Sequence, residues 1–169
     1  MATVRPERPG DAAAIRRVHE RAFGRPHEAR LVDALRDADA HVVSLVVEDD
    51  AGVAGHVLFS PVSVGLGLGP VAVAPDRQGV GLGSLLVRRG LAECRQRGHG
   101  VVVVLGDPGF YRRFGFAPAS ARGLRCEYDA PDGAFMVIEL VAGALGHRRG
   151  LVRYRPEFDA MEALPGRTQ

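Results

Sequence analysis

The stretch from Gln78 to Ser84, which reads QGVGLGS, has the clearest potential for chemistry in this sequence. It follows a short apolar run that ends at Pro75, and apolar residues then recur at helical spacing as far as Cys94. This pattern predicts a strand, a glycine loop and a helix. The first amides of a helix have no partner within it and carry partial positive charge, so a loop without side chains lets an anion bind there. The stretch therefore predicts a phosphate-binding loop, with a tight turn that binds nothing as the alternative.

Two common phosphate-binding patterns do not fit the spacing of these glycines. A P-loop needs a lysine followed by serine or threonine after its last glycine, but the chain contains no lysine. A dinucleotide fingerprint needs a third glycine where Ser84 or Leu86 stands. It also needs an acidic residue about twenty positions further on, whereas Asp107 lies further away and begins another turn. A P-loop NTPase is therefore excluded, and a Rossmann site is disfavoured.

The spacing Gln/Arg-x-x-Gly-x-Gly/Ala does fit, with Gln78, Gly81 and Gly83 at its three defined positions. This resembles the acetyl-CoA pyrophosphate loop of the GNAT superfamily of N-acetyltransferases. A second block supports the resemblance, because an apolar run at 101–105 is followed by a Tyr-x-x-x-Gly-Phe segment that starts at Tyr111. Four further segments, at 28–32, 55–61, 106–108 and 137–145, resemble those of the YhbS-like predicted N-acetyltransferases within the superfamily. The resemblance covers nearly the whole chain.

The resemblance implies an α/β architecture, which some classifications call α+β. It is the GNAT acyl-CoA N-acyltransferase fold, a mixed central sheet splayed between strands 4 and 5 and flanked by helices. Acetyl-CoA, the acetyl donor, would lie in the splay, with its pantetheine amides on the backbone of Val71 and Val73. The implied cofactor-binding residues are Val71, Ala72, Val73, Gln78, Gly79, Val80, Gly81, Leu82, Gly83, Ser84, Gly106, Asp107, Tyr111 and Phe114.

Tyr111 is the candidate acid of the implied reaction. Acetyl transfer from a thioester to a primary amine, on a small molecule or a peptide N-terminus, proceeds by direct attack and needs no covalent enzyme intermediate. By the resemblance, Tyr111 protonates the leaving thiolate. Its alternative is a core aromatic packed beside Phe110 and Phe114.

The base is where the chain departs from the family pattern. Many members use a glutamate on the strand before the glycine loop, and this strand has none. His56, in the middle of a predicted strand, is the candidate, with a satisfied core histidine as the alternative. The chain also lacks asparagine, which the family often has after its fifth strand. Other candidate bases, each with a salt-bridged or solvated carboxylate as the alternative, are Glu127, Asp129 and Glu139.

Apolar periodicity and turn signals predict the elements that must position these residues. Asp11 is expected to cap a helix over 12–23, and Asp107 a short helix that ends before Gly115. Glycines and Pro70 within the segment 63–73 indicate a bulge or a splayed strand edge. The segment 117–133 reads as a loop and 150–154 as a further edge strand. A second helix is expected over 27–36, and strands over 2–5, 41–48, 53–60, 63–73, 101–105 and 134–140.

The length predicts one domain, and the resemblance implies a GNAT domain over 1–145 with a C-terminal extension over 146–169. The net charge is only +2 and the arginines are scattered, so no nucleic-acid partner is expected. Two cysteines at unrelated spacing predict no metal site and a reduced, cytoplasmic location, and no apolar run is long enough for a membrane. The sequence leaves a homodimer open. The alternative function is a non-catalytic sensor that binds acyl-CoA.

Overall fold

The computed structural model describes residues 1–131 and 133–162. Its strands and helices form two compact units. The N-terminal unit comprises residues 1–60 and 69–93. The C-terminal unit comprises residues 61–68 and the chain from Cys94 onward. The division passes through two strands and a helix, because the chain enters the second unit at Pro61, leaves it after Leu68 and enters it again at Cys94.

The N-terminal unit is built on four neighbouring strands in the order β1-β2-β3-β4. Strands β1 and β2 are antiparallel, and β2 and β3 form a hairpin around residues 50–51. The helices α1 and α2 bury apolar faces that include Ile15, Val18 and Leu35. Gly24, in the left-handed conformation, ends α1. The elements are β1 (Thr3–Pro6), α1 (Ala12–Phe23), α2 (His27–Asp37), β2 (Val43–Asp49), β3 (Gly52–Val62), β4 (Gly65–Val73) and α3 (Leu82–Gln96).

Asp11 occupies the predicted N-cap position of α1, but its side chain does not cap the helix. Its carboxylate lies 2.7 Å from the guanidinium of Arg5 and accepts the backbone N–H of Arg8, also at 2.7 Å. No side-chain hydrogen bond to the first turn of α1 remains. The prediction was wrong because Arg5, on the neighbouring strand, offers a charged donor that the local sequence pattern does not reveal.

The C-terminal unit contains the strand order β4-β5-β8-β6 and a separate parallel pair, β7-β9. Strand β5 runs parallel to β4 and antiparallel to β8. Buried side chains such as Val103, Leu124, Val137 and Leu145 form its core. The elements are β5 (Val101–Leu105), α4 (Pro108–Tyr111), β6 (Ala117–Pro118), β7 (Leu124–Cys126), β8 (Phe135–Glu139), β9 (Gly150–Val152) and α5 (Asp159–Glu162).

The segment predicted as a loop over 117–133 contains β6, a 3₁₀ turn and β7. Ala119 and Leu124 within it are buried, but its proline, glycine and charge hide this pattern in the sequence. The predicted strand near 150 is confirmed as β9, and Val152 is completely buried. Part of the predicted C-terminal extension, 163–169, lies outside the described residues, and a domain boundary at 145 stays a prediction. No helix in the described ranges is long and apolar enough to cross a membrane.

Candidate cofactor and catalytic site

The glycine loop joins β4 to α3 and has the shape of an open cradle. After a 3₁₀ turn at Pro75–Arg77, Gly79 and Gly81 adopt φ angles of +80° and +91°, which favour glycine. A Cβ added at either position would meet no heavy atom within 4 Å. The loop therefore leaves room for an anion beside the first turn of a fifteen-residue helix. This geometry fits the pyrophosphate of an acyl-CoA.

Gln78 holds the beginning of this loop against the end of β4. Its side-chain Nε2 donates to the carbonyl of Val73 at 2.9 Å. The backbone N–H of Ala74 donates to the carbonyl of Ala54 in β3 at 2.8 Å. At the other end of the loop, the N–H of Leu85 reaches the carbonyl of Gly81 at 3.0 Å. The side chain of Gln78 thus orders the turn, and its predicted contact with the cofactor stays a prediction.

Strand β4 extends beyond its parallel partner. In the described part of the chain, its pairing with β5 covers only Leu66–Leu68. Gly69 follows with φ at +136°, and the strand continues to Val73. The segment from Val71 to Val73 therefore carries no β5 partner, as contacts between its backbone and a pantetheine would require.

Tyr111 ends α4 in the C-terminal unit, where Asp107 fixes the start of the helix. The carboxylate of Asp107 accepts the N–H of Gly109 at 2.9 Å, which confirms the predicted cap. The ring of Tyr111 packs against Phe110 and Phe116 at centroid distances of 5.0 and 5.8 Å and is only 3% exposed. This burial, with a smaller effect of Asp107, raises the pKa of Tyr111. The hydroxyl therefore stays protonated at neutral pH, as an acid requires.

Three other predicted cofactor residues, Gly106, Asp107 and Phe114, lie close to Tyr111 in the sequence. Phe114 lies in a 3₁₀ turn after α4, and its ring centroid is 5.1 Å from that of Phe110. The N–H of Gly106 donates to the carbonyl of Ala134 at 2.9 Å, so this amide already has a partner. Contacts of Gly106, Asp107 and Phe114 with a cofactor stay predictions.

His56 is completely buried in the N-terminal unit. Its Nδ1 lies 2.8 Å from Nε2 of His19, and its Nε2 lies 2.8 Å from Oγ of Ser44. Desolvation lowers the pKa of His56 well below its usual value and that of His19 to about 4. With both ring nitrogens next to protein groups and no exposed surface, the geometry favours a structural role. A catalytic role as base stays a prediction.

His19 is buried on α1, and its contact with His56 was not predicted from the sequence. The only signal was a polar residue among apolar ones at helical spacing, and such a residue needs a buried partner. The partner lies 37 positions away, on β3, and only the packing of α1 on the sheet brings the two rings together. The two rings meet at an interplanar angle of 78°.

Two of the other candidate bases have contacts within the C-terminal unit. Glu139 accepts the N–H of Leu145 at 3.0 Å and Arg122 at 2.9 Å, and these bonds lower its pKa. Glu127 accepts the N–H of Tyr154 at 2.6 Å. Asp129 is exposed. Among residues 1–131 and 133–162, no three His, Cys, Asp or Glu side chains are placed to hold a metal ion.

Three features together are typical of acyl-CoA N-acyltransferases. They are an open glycine loop before a long helix, a strand that extends beyond its parallel neighbour, and a tyrosine after the next strand. The chain belongs to the acetyltransferase (GNAT) family, whose model matches residues 12–116. This membership confirms the predicted fold class.

Similar proteins and solved structures are also GNAT acetyltransferases. The uncharacterised N-acetyltransferase YhbS of Escherichia coli K12 is 40% identical over 163 residues, 92% of this chain and 98% of YhbS. A crystal structure of E. coli YhbS in complex with CoA matches with a TM-score of 0.90 at 40% identity, covering 94% of this chain and 92% of that one. A GNAT family acetyltransferase from Brucella melitensis in complex with acetyl-CoA has a TM-score of 0.79 at 41% identity, covering 94% and 99%.

Proposed function

We propose that the protein is a cytoplasmic N-acetyltransferase that moves the acetyl group of acetyl-CoA to a primary amine, on a small molecule or a peptide N-terminus. The observation that carries the proposal is the open, positive-φ glycine loop at the start of α3. Two similar proteins, at 40% and 41% identity, have CoA and acetyl-CoA bound. In this proposal the loop from Gln78 to Ser84 holds the pyrophosphate, and Val71 to Val73 pair with the pantetheine.

The proposed chemistry uses one proton held by the protein. Acetyl-CoA supplies an acyl thioester, whose carbonyl carbon a neutral amine can attack directly. As the new C–N bond forms and the C–S bond breaks, Tyr111 Oη gives its proton to the sulfur and recovers one from solvent. The surplus proton of the amine passes to water. His56 enters this scheme as the candidate base, although its burial and its contacts with His19 and Ser44 favour a scheme without it.

The alternative function is an acyl-CoA sensor without catalysis. The observation that favours it is that His56, the predicted base, has both ring nitrogens beside protein groups. Incubation with acetyl-CoA and a panel of primary amines, followed by detection of free thiol, separates the two. The enzyme should release CoA faster with at least one amine than without any. Saturable binding of acetyl-CoA without release across the panel would favour the sensor.

A separate experiment tests the loop assignment. Gly81→Glu should abolish acetyl-CoA binding, measured by calorimetry, because a carboxylate at the cradle would repel the pyrophosphate. Gly98→Glu is the matched control, since Gly98 also has positive φ (+90°) and open space around it but lies beyond the other end of α3. Equal affinities of Gly81→Glu and the wild type would remove the loop from the cofactor site.

A further inference from the structure

An ion pair ties the turn before the glycine loop to the β2–β3 hairpin. Arg77 is the last residue of the 3₁₀ turn, and its Nη1 contacts Oδ2 of Asp49, the last residue of β2. The other carboxylate oxygen of Asp49 accepts the N–H of Ala51 at 2.9 Å. The Arg77 and Asp49 side chains are only 27% and 24% exposed. The hairpin therefore offers the arginine a fixed anchor rather than a mobile surface carboxylate.

Beyond Arg77 the chain enters the most exposed part of the loop. Gln78 to Gly81 are all exposed, and Val80 reaches 73%. Glycine-rich backbone loses the most conformational freedom when it becomes ordered, so an untethered loop would bind a phosphate at a large entropic cost. Fixing one end before the ligand arrives reduces that cost. The ion pair of Arg77 with Asp49 fixes the backbone directly before these exposed residues.

We infer that Asp49 and Arg77 are positioning residues for cofactor binding. The pair fixes the entry of the glycine loop, so that the loop amides are already arranged for a pyrophosphate. This inference rests on the proposed assignment of the loop to acetyl-CoA. Neither side chain needs to contact the cofactor.

A direct role of Arg77 in binding phosphate makes an opposite prediction for its partner. If charge alone mattered, loss of the cation at Arg77 would weaken anion binding, and loss of the anion at Asp49 would strengthen it. If the pair acts by positioning, removing either charge weakens binding. Asp49→Asn therefore decides between the two, because its amide oxygen can still accept the N–H of Ala51 while the ion pair with Arg77 is lost.

The experiment measures the dissociation constant of CoA by calorimetry for the wild type, Asp49→Asn, Arg77→Gln and the double variant. Each single variant should bind CoA about three- to tenfold more weakly, and the double variant no more weakly than the weaker single one, because Arg77→Gln already breaks the contact that Asp49→Asn breaks. Arg21→Gln is the control. It breaks the exposed pair of Arg21 with Asp76, whose side chains are 55% and 61% exposed, and should leave the affinity unchanged.

Amide hydrogen exchange adds a readout of loop order. Exchange at residues 79–83 should accelerate in Asp49→Asn but not in Arg21→Gln. Unchanged or tighter CoA binding by Asp49→Asn would overturn the inference, as would additive losses in the double variant. If Asp49→Asn lowers the melting temperature but leaves the affinity for CoA unchanged, the pair of Asp49 and Arg77 is only a structural contact. Loss of binding in Gly81→Glu together with normal binding in Asp49→Asn would sink this inference alone and leave the proposed function intact.

Discussion

At the scale of single residues, Tyr111 offers the most direct test of mechanism. Tyr111→Phe removes one hydroxyl and keeps the ring that packs against Phe110 and Phe116. If the hydroxyl protonates the departing thiolate, its removal destabilises the transition state and not the bound acetyl-CoA. We expect kcat to fall by roughly tenfold to a thousandfold with little change in the KM for acetyl-CoA. Steady-state rates with an identified acceptor amine measure this.

A second buried tyrosine supplies the matched control for this variant. Tyr128 is 5% exposed, and its hydroxyl donates to Asp159 at 2.8 Å. Tyr128→Phe should lower the free energy of unfolding by about 1 kcal/mol and leave kcat unchanged. If Tyr111→Phe behaves in the same way, with normal turnover and reduced stability, Tyr111 belongs to the core and solvent protonates the thiolate.

At the scale of elements, Gly90 allows α3 to pack closely against Phe59 of β3. A Cβ at Gly90 would lie 2.4 Å from Cε1 of Phe59, a completely buried side chain. Gly→Ala within a helix normally stabilises by about 1 kcal/mol. Here the sign should reverse, because α3 would have to move away from the sheet. We expect Gly90→Ala to lower the free energy of unfolding by about 1–3 kcal/mol, measured with a denaturant.

A double variant shows whether this contact is the cause. Phe59→Leu removes the ring atoms that a Cβ at Gly90 would meet, so the loss from Gly90→Ala should shrink in that background. Gly10→Ala is the control, since a Cβ at Gly10 would meet nothing within 4 Å. Equal losses from Gly90→Ala with either residue at position 59 would contradict the steric explanation.

Local signals explain which elements could be predicted from the sequence. The α1 helix spans the predicted residues, and Asp107 caps α4, because apolar spacing and capping act within a few residues. The glycine loop was visible for the same reason. The side-chain contacts of Asp11 and His56 could not be predicted, because their partners, Arg5 and His19, lie on other elements. Strand β7 was missed because it pairs with β9, about 25 residues further along the chain.

At the scale of the whole molecule, the distribution of chromophores gives each unit its own probe. The chain has no tryptophan, and its three tyrosines all lie in the C-terminal unit, whereas the buried pair of His19 and His56 lies in the N-terminal unit. Tyrosine fluorescence thus follows the C-terminal unit alone, while far-ultraviolet circular dichroism follows the helices of both. Unfolding of the N-terminal unit, caused by protonation of His19 and His56, should therefore appear in the circular dichroism signal.

Acid should destabilise the fold through this histidine pair. Burial lowers the pKa of His19 to about 4, whereas in the unfolded chain it returns to about 6.5, so the unfolded state binds protons first as the pH falls. Stability is therefore complete above about pH 6.5 and is lost progressively towards about pH 4. For His19 alone the loss amounts to about 3 kcal/mol, and the lowered pKa of His56 acts in the same direction. Urea titrations followed by circular dichroism at about pH 7.5 and about pH 5 measure the effect.

The control for the acid effect is a histidine that is not buried. His147 is exposed, so His147→Gln should keep the full difference in urea midpoint between the two pH values. In His19→Gln the residue that loses its proton on folding is absent, so the midpoint should depend less on pH, even though the contact with His56 is weakened and stability at about pH 7.5 falls. An unchanged pH dependence in His19→Gln would place the acid sensitivity in other groups. His56 would then be the first group to examine, because burial lowers its pKa as well and the unfolded chain binds its proton more readily.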